Sequence, residues 1–200
     1  MFRSLLISIF CILLGNNTHA SEDYILIENF KKASHNKIIF MRHALAPGNG
    51  DPSNFKIDDC STQRNLDVNG IYQSEMIGEI FKRFQITFTK IFSSFWCRCK
   101  DTASFLKIGK FFTHKGLNSF YQGHVNRDET LAELNKLISK LQIIKGTYLM
   151  VTHYVVIQAF TGISLPSGGM VVYDMETKNS YHLKIDQIKL INVKIYHSQG

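Results

Sequence analysis

Two short runs of mainly apolar residues, with a third run that is half apolar, are the clearest pattern along the chain. Residues 37–41 read KIIFM and lead into His43, and residues 147–152 read TYLMVT and end at His153. A third run, residues 88–93, leads into a pair of serines. Runs of this length and composition are typical of strands that are buried on both faces of a sheet. The pattern therefore predicts three central strands.

Helical spacing of apolar residues separates these predicted strands. One helix is predicted after Asp67, with an inward stripe that starts at Val68, and another is predicted to begin at Asp128 and to end at Gly146. Further expected elements are a leading helix at 24–32, helices at 98–112 and 153–161, and strands at 170–173 and 185–196. Strands that alternate with helices predict an α/β fold, a three-layer sandwich in which helices flank a mostly parallel central sheet.

Polar side chains follow the predicted strands at the point where each strand ends. Ligands of open parallel sheets bind outside the carboxyl ends of the strands, so His43 and His153 are expected to converge on one crevice. The segment SSFWCR, residues 93–98, adjoins the same crevice. One histidine at a strand end is more often structural, but two at equivalent positions, one of them preceded by Arg42, favour a functional site. Residues 46–64, rich in Gly and Pro, predict a long loop, and such loops are often functional.

The charge distribution narrows the class of ligand. The formal net charge is +7, and most of the positive charge is lysine dispersed along the chain. Because there is no dense basic run or aromatic-interleaved motif, the sequence predicts no nucleic-acid partner. Three of its six arginines, Arg42, Arg64 and Arg98, fall in segments around the expected crevice. That concentration predicts a local site for an anion.

The first twenty residues predict a cleavable secretory signal. Arg3 supplies a positive start, residues 5–14 are apolar, and residues 18–20 place small side chains around a cleavage site. The apolar run is shorter than the ~20 residues needed to span a bilayer, which disfavours an uncleaved anchor. We expect a signal peptide at 1–20, a single domain at 21–200, a periplasmic or secreted location and no stable membrane insertion after cleavage.

Three cysteines remain after the predicted cleavage, Cys60, Cys97 and Cys99. In an exported protein an odd number suggests one disulfide and one free thiol, and Cys60 can pair with either of the other two. Three buried thiols are the alternative. Because Cys97 and Cys99 are too close for an ordinary zinc-ligand pair, and no second Cys/His pair follows with suitable spacing, no metal site is predicted.

In combination, these residues resemble the histidine phosphatase superfamily, also called phosphoglycerate mutase-like proteins. The family's Arg-His pair after the first strand matches Arg42 and His43, its Ser-Ser-x-x-x-Arg-x-x-x-Thr-Ala segment matches residues 93–103, and its later strand-ending histidine matches His153. Each motif is weak alone, but the three in order are specific. Ala44 replaces the family's usual glycine, as in some divergent bacterial branches, and with the signal this suggests an exported bacterial branch.

The resemblance implies a set of site residues. His43 is expected to be the nucleophile that attacks phosphorus, and Arg42, Arg98 and His153 are expected to bind the phosphoryl oxygens. Guanidinium groups match the geometry of these oxygens, so two arginines and a protonated histidine can replace a metal, and no cofactor is implied. Arg64 is interpreted either as a further ligand of the phosphate or substrate body, or as a surface residue.

The family's general acid has no clear counterpart. The family usually supplies Glu or Asp between the second arginine and the final histidine, and the matching residues 117–122 contain no carboxylate. Asp128 and Glu129 are the nearest alternatives, although Asp128 is also a good helix cap. Without an acid, substrates with good leaving groups are expected to react best.

These features predict a metal-independent phosphomonoesterase of the histidine acid phosphatase type, which works through a phosphohistidine on His43. The expected substrate is a small-molecule or envelope-associated phosphate ester. The alternatives are a phosphotransferase or mutase of the same family, a non-catalytic binder of phosphorylated ligands that uses the same pocket, and an adhesin for anionic surface polymers. The sequence indicates neither the physiological substrate nor an oligomeric state.

Overall fold

The structure, a computed structural model, describes residues 24–30 and 35–185. The predicted signal peptide at 1–20 lies outside the described residues, and so does all but the first residue of the strand predicted at 185–196. Among the described helices, none combines the length and the apolar character that a membrane span requires.

The described residues form seven strands and five α-helices. The strands are β1 (Tyr24–Leu26), β2 (Lys37–Arg42), β3 (Lys90–Ser93), β4 (Phe111–Thr113), β5 (Thr147–Thr152), β6 (Met170–Asp174) and β7 (Ser180–Lys184). The helices are α1 (Ile27–Phe30), α2 (Val68–Arg83), α3 (Cys97–Phe105), α4 (Arg127–Ile144) and α5 (Tyr154–Thr161). Short 3₁₀ turns occupy Cys60–Thr62, Lys115–Leu117 and Tyr121–Gly123.

All seven of these strands belong to one sheet with the order β1-β7-β6-β2-β5-β3-β4. Only β6 runs antiparallel to its neighbours, so the other strands of the described sheet point the same way. The register pairs Arg42 of β2 with Thr152 of β5, and Ser93 of β3 with Val151 of β5. The three apolar runs are therefore neighbouring central strands whose carboxyl ends meet at one edge of the sheet.

Helices cover both faces of the sheet, because successive residues of a buried strand point to opposite sides. On one face, Ile39 of β2 and Leu149 of β5 belong to a buried cluster with Phe81 of α2 and residues of α3. On the other face, Ile38 of β2 belongs to a second cluster with Leu134 of α4 and residues of α5. The predicted three-layer α/β sandwich with a mostly parallel sheet is confirmed.

Two predicted helices differ from the observed elements. The leading helix predicted at 24–32 is wrong in its first part, because Tyr24–Leu26 pairs in parallel with β7 as an edge strand. The helix predicted at 98–112 ends at Phe105. Soon after this end, Lys107 takes a left-handed backbone conformation with a φ of 51°, and the chain then forms β4.

The ends of the longer helices also differ in detail. Helix α4 is capped by Asn126, whose side chain accepts a hydrogen bond from the backbone N–H of Asp128, so Asp128 is not the cap. At the other end, Lys145 and not Gly146 takes the left-handed conformation, with a φ of 53°. Val68 is 76% exposed, so the inward stripe of α2 does not start there.

Candidate active site

The carboxyl ends of β2, β3 and β5 bring the predicted site residues together. Just beyond β2, the His43 backbone N–H donates to the Thr152 carbonyl at 2.9 Å, and beyond β3 the Ser94 N–H donates to the Val151 carbonyl at 3.0 Å. These bonds extend the sheet by one residue and fix the positions of the side chains that follow. The imidazoles of His43 and His153 are both buried, and their ring centroids lie 5.5 Å apart.

The tautomer of His43 follows from its hydrogen bond. Its Nδ1 lies 2.8 Å from the Ala44 carbonyl oxygen, and because a carbonyl can only accept, Nδ1 carries the hydrogen. The backbone of Ala44 is itself fixed, because its N–H donates to Oγ1 of Thr102 at 3.0 Å. Burial, followed by the positive charge of Arg98, lowers the pKa of His43 to about 3. The imidazole is therefore neutral near pH 7, with its lone pair on Nε2.

Three arginines and the two histidines line one pocket of about 200 Å³. Arg42 comes from the end of β2, Arg64 from the long loop before α2, and Arg98 from the first turn of α3. The structure thus brings together all five side chains that the sequence singled out. Of the two interpretations of Arg64, its place in the pocket wall supports the one in which it meets the ligand.

Backbone carbonyls hold two of these arginines in place. Arg42 Nη1 donates to the Leu165 carbonyl at 2.8 Å, and the Arg42 guanidinium lies 5.6 Å from the ring centroid of Tyr154. Arg64 Nε donates to the Gly50 carbonyl at 2.9 Å, and its Nη1 donates to a second carbonyl of the same loop. These contacts orient the guanidinium groups before any ligand binds.

Two donors of the site are buried without an acceptor. Nε of Arg42 and Nε of Arg98 make no hydrogen bond, although neither atom is accessible to solvent. A buried donor without a partner costs about 1–3 kcal/mol, so such groups in a folded protein call for an explanation. Both arginines line the pocket, so these donors favour an anion with several acceptor oxygens as its ligand.

Asp51 is a site residue that the sequence did not single out. Its carboxylate forms a two-pronged ion pair with Arg98, with Nη1 to Oδ1 at 2.7 Å and Nη2 to Oδ2 at 3.2 Å. Oδ2 also accepts from Trp96 Nε1 at 2.9 Å. Nothing in the sequence distinguishes Asp51 from the other acidic residues of its loop, because its partner is 47 residues away.

The ring of His153 is held through its Nε2 atom by Ser94 and Cys99. Its Nε2 lies 3.0 Å from Ser94 Oγ and 3.4 Å from Cys99 Sγ. Ser94 Oγ is also 3.2 Å from Oδ1 of Asn118, which accepts from the Phe95 backbone N–H. Burial, followed by the charge of Arg98, places the pKa of His153 well below its ordinary value, so the protonated histidine expected from the sequence is instead neutral near pH 7. Burial raises the pKa of the Cys99 thiol to about 12, so Cys99 stays protonated.

The structure does not bring either predicted general acid to the pocket. Asp128 and Glu129 are exposed in the first turn of α4, and Glu129 lines a different cavity. Within residues 24–30 and 35–185, no carboxylate lines the pocket. Ser119 and Tyr121, from the stretch where the resembled family carries its acid, line it instead and offer only hydroxyl groups.

The long loop is tied to the first turn of α3. Cys60 and Cys97 form a disulfide with a Cα to Cα distance of 5.7 Å, and Cys99 is a buried free thiol. This selects one of the pairings that the sequence left open. Beside the bridge, Oε1 of Gln63 accepts from the Cys97 backbone N–H at 2.9 Å. The bridge therefore fixes the loop that carries Asp51 against the turn that carries its partner arginine.

Removing this disulfide is expected to destabilise the fold. The variant with both Cys60→Ser and Cys97→Ser should lose about 4 kcal/mol in the free energy of unfolding, since the bridge closes a loop of 37 residues in the unfolded chain. Urea unfolding of the oxidised wild type and the variant measures this difference. Wild type kept in a thiol reductant is the control and should unfold at the same urea concentration as the variant. Equal midpoints for the oxidised wild type and the variant would contradict the expectation.

Comparisons with known proteins establish the fold of this chain. No protein-family model matches the sequence, and no curated protein matches it significantly. A mycobacterial glucosyl-3-phosphoglycerate phosphatase is similar in structure, with a TM-score of 0.53, 13% identity, and coverage of 74% of this chain and 97% of that chain. The protein histidine phosphatase SixA, solved with tungstate, gives a TM-score of 0.51 at 15% identity, with 74% and 94% covered.

A third similar structure is a mutant phosphoserine phosphatase from Entamoeba histolytica in complex with phosphoserine. Its TM-score is 0.51 at 16% identity, and the match covers 74% of this chain and 95% of that chain. These neighbours are members of the histidine phosphatase superfamily. The seven-stranded sheet with flanking helices matches theirs, so the chain has the phosphoglycerate mutase-like fold that the sequence predicted.

Proposed function

We propose that this protein is a phosphomonoesterase in which Nε2 of His43 attacks the phosphorus of a phosphate ester. The observation that carries the proposal is a neutral imidazole, whose lone pair is on Nε2, in one pocket with two arginines that each have a buried Nε–H without an acceptor. A phosphoryl group supplies both an electrophilic phosphorus and the oxygens that those donors need. The histidine phosphatase fold agrees with this chemistry.

The reaction proceeds in two displacements on phosphorus. In the first, the Nε2 lone pair forms a P–N bond while the ester P–O bond breaks, and the leaving group departs as an oxyanion that solvent water protonates. The Nδ1–H bond to the Ala44 carbonyl stabilises the positive charge that develops on the His43 ring. In the second, water attacks the phosphohistidine, the P–N bond breaks, and inorganic phosphate and neutral His43 are regenerated.

The arginines stabilise the charge of the transferring group. Negative charge spreads over the equatorial oxygens in the transition state, and oriented donors in a buried site stabilise it more strongly than water does. Arg42 and Arg98 each offer an unpaired Nε–H, and Arg64 and His153 complete the wall of the pocket. The three arginines supply the positive charge that a metal provides in other phosphatases, and His153, whose lowered pKa leaves its imidazole neutral near pH 7, contributes none. The proposed reaction is independent of metal.

The proposed mechanism includes no general acid that protonates the leaving group as it departs. Among the described residues, the pocket wall offers hydroxyl groups and no carboxylic acid that could donate a proton. Substrates whose leaving groups have low pKa values are therefore preferred. The size of the pocket suits a phosphoryl group with a small or protruding remainder.

The substrate is a small-molecule or envelope-associated phosphate ester, and the protein acts in the periplasm or after secretion. The location rests on the signal features of residues 1–20. Proteins of the same fold act on phosphohistidine, phosphoserine or glucosyl-3-phosphoglycerate according to their names, so the fold accommodates different leaving groups around one phosphoryl site.

Hydrolysis of para-nitrophenyl phosphate in EDTA tests the function. Residues 21–200 should release para-nitrophenol over many turnovers, and added EDTA should leave the rate unchanged. Binding of phosphate without turnover would replace the proposal with a phosphoryl-binding protein, which the lack of a carboxylic acid in the pocket wall favours as the second candidate. Isomerisation of a phosphoglycerate without release of phosphate would indicate a mutase.

The low pKa of His43 leads to a separate prediction about how its protonation and the stability of the fold depend on pH. The folded value of about 3 lies below the ordinary 6.5, so His43 should remain neutral when the pH falls from 7.5 to 5. The unfolded chain binds more protons over the window between these two pKa values, and the folded state therefore loses stability as the pH falls through it. Titration of the His43 ring by NMR in phosphate-free buffer measures this, and protonation near pH 6.5 would contradict it.

A further inference from the structure

Asp51 has a buried carboxylate that takes no part in the two proposed displacement steps. Its Oδ1 accepts from Arg98 Nη1 at 2.7 Å and from the Arg64 backbone N–H at 3.0 Å. Its Oδ2 accepts from Arg98 Nη2 at 3.2 Å and from Trp96 Nε1 at 2.9 Å. Burial opposes ionisation of Asp51, but the bonds from Arg98 and from the Arg64 backbone outweigh it and lower the pKa. Asp51 is therefore ionised and holds no proton for a leaving group.

Asp51 also balances the charge of the pocket. Arg42, Arg64 and Arg98 line the same small cavity, and like charges at short range in a poorly solvated site repel strongly. In the part of the chain that the structure describes, Asp51 is the carboxylate that contacts a pocket guanidinium. Its charge lets Arg98 stay buried, with its side chain only 4% exposed.

The ion pair determines which edge of Arg98 is left for a ligand. A guanidinium carries five N–H donors in one rigid plane. Asp51 engages the terminal edge, formed by Nη1 and Nη2, and Nη1 also donates to the Arg64 carbonyl at 3.3 Å. Nε is left as a buried donor without an acceptor. Because the plane is rigid, fixing the terminal edge also fixes the direction of the Nε edge.

We propose that Asp51 is a positioning residue, which clamps the terminal edge of Arg98 so that its Nε edge is presented to the transferring phosphoryl group. The proposal rests on the proposed phosphatase function and adds a residue to its machinery. Trp96 and the Arg64 backbone hold the carboxylate from its other sides, and the Cys60–Cys97 bridge ties its loop to the start of α3. The clamp thus acts on the transition state through Arg98.

The Asp51→Asn variant separates this role from a structural one. With para-nitrophenyl phosphate, kcat is expected to fall at least about tenfold, because a small misorientation of a catalytic group has a large effect on rate. The inhibition constant for inorganic phosphate should stay within about twofold of wild type or become tighter, because a competing negative charge has been removed. Asp58→Asn, the same change at an exposed position of the same loop, is the control and should match wild type.

A double-mutant cycle tests whether Asp51 acts through Arg98. If it does, adding Asp51→Asn to Arg98→Lys should lower kcat by less than about twofold further. Should Asp51→Asn not fold in a thermal unfolding assay, Asp51→Glu, which keeps the charge but shifts the carboxylate, is expected to show the same loss of kcat with phosphate inhibition retained.

Three results overturn the proposal: an unchanged kcat, parallel losses of kcat and phosphate inhibition, and additive effects in the cycle. Inactivity of the wild type would refute the phosphatase function and the clamp with it. If the wild type is active but the variants give any of these three results, the clamp is refuted and the proposed phosphatase function is retained.

Discussion

The His43→Ala variant is expected to lower kcat for aryl phosphate hydrolysis by at least about a thousandfold, because it removes the atom that forms the covalent bond. Phosphate should still bind, since Arg42, Arg64 and Arg98 keep their backbone and carboxylate partners. Steady-state kinetics and inhibition by phosphate measure the two effects. His182→Ala, on β7 two strands away from β2, is the matched control and should retain wild-type activity.

A large residual rate in His43→Ala would contradict the assignment of the nucleophile. Loss of phosphate binding together with activity would instead indicate a collapsed pocket, so thermal unfolding with and without phosphate belongs to the same experiment. A variant that is stabilised by phosphate and yet inactive gives the result that the mechanism requires.

The Arg98→Lys variant is expected to lower kcat/KM at least about a hundredfold, the effect typical of losing an oriented donor to transition-state charge. Lysine keeps the positive charge for Asp51 but has no counterpart of the buried Nε–H. Kinetics with para-nitrophenyl phosphate measure the loss. Arg83→Lys, at the exposed end of α2, is the control and should match wild type. Near-normal activity in Arg98→Lys would show that charge alone is sufficient.

The parts of the fold that the sequence predicted are those with a strong local pattern. The apolar runs of β2 and β5 are long enough to be recognised as buried strands, and their ends place His43 and His153 correctly at one edge. Strands β1 and β4 have only three residues each, and they depend on pairing with β7 and β3. Their identity is fixed by partners that are distant in sequence, so local pattern cannot reveal them.

The candidate site also contains some residues that the sequence could predict and others that it could not. His43, Arg98 and His153 follow strands or fall in a motif, so their convergence could be predicted. Asp51 and the choice of Cys97 over Cys99 as the partner of Cys60 depend on how one irregular loop folds back on α3. Loop geometry of this kind is determined by tertiary contacts and leaves little trace in residue spacing.

The failure of the predicted general acids has a similar cause. Asp128 and Glu129 are close in sequence to the stretch where an acid was expected, but both are exposed in the first turn of α4, neither lines the pocket, and Glu129 lines another cavity. The residues of the expected stretch do reach the pocket, as Ser119 and Tyr121. This stretch reaches the pocket without a carboxylate, whereas the carboxylates that follow it in sequence do not reach the pocket.

Trapping the phosphorylated enzyme tests the central claim most directly. Mature protein is mixed with phosphoryl-labelled para-nitrophenyl phosphate in EDTA, quenched within one turnover, and the labelled peptide is identified by mass spectrometry. The mechanism predicts acid-labile, alkali-stable label on His43 that disappears as phosphate is released. Efficient turnover with no label on His43, or label on another residue, would contradict it.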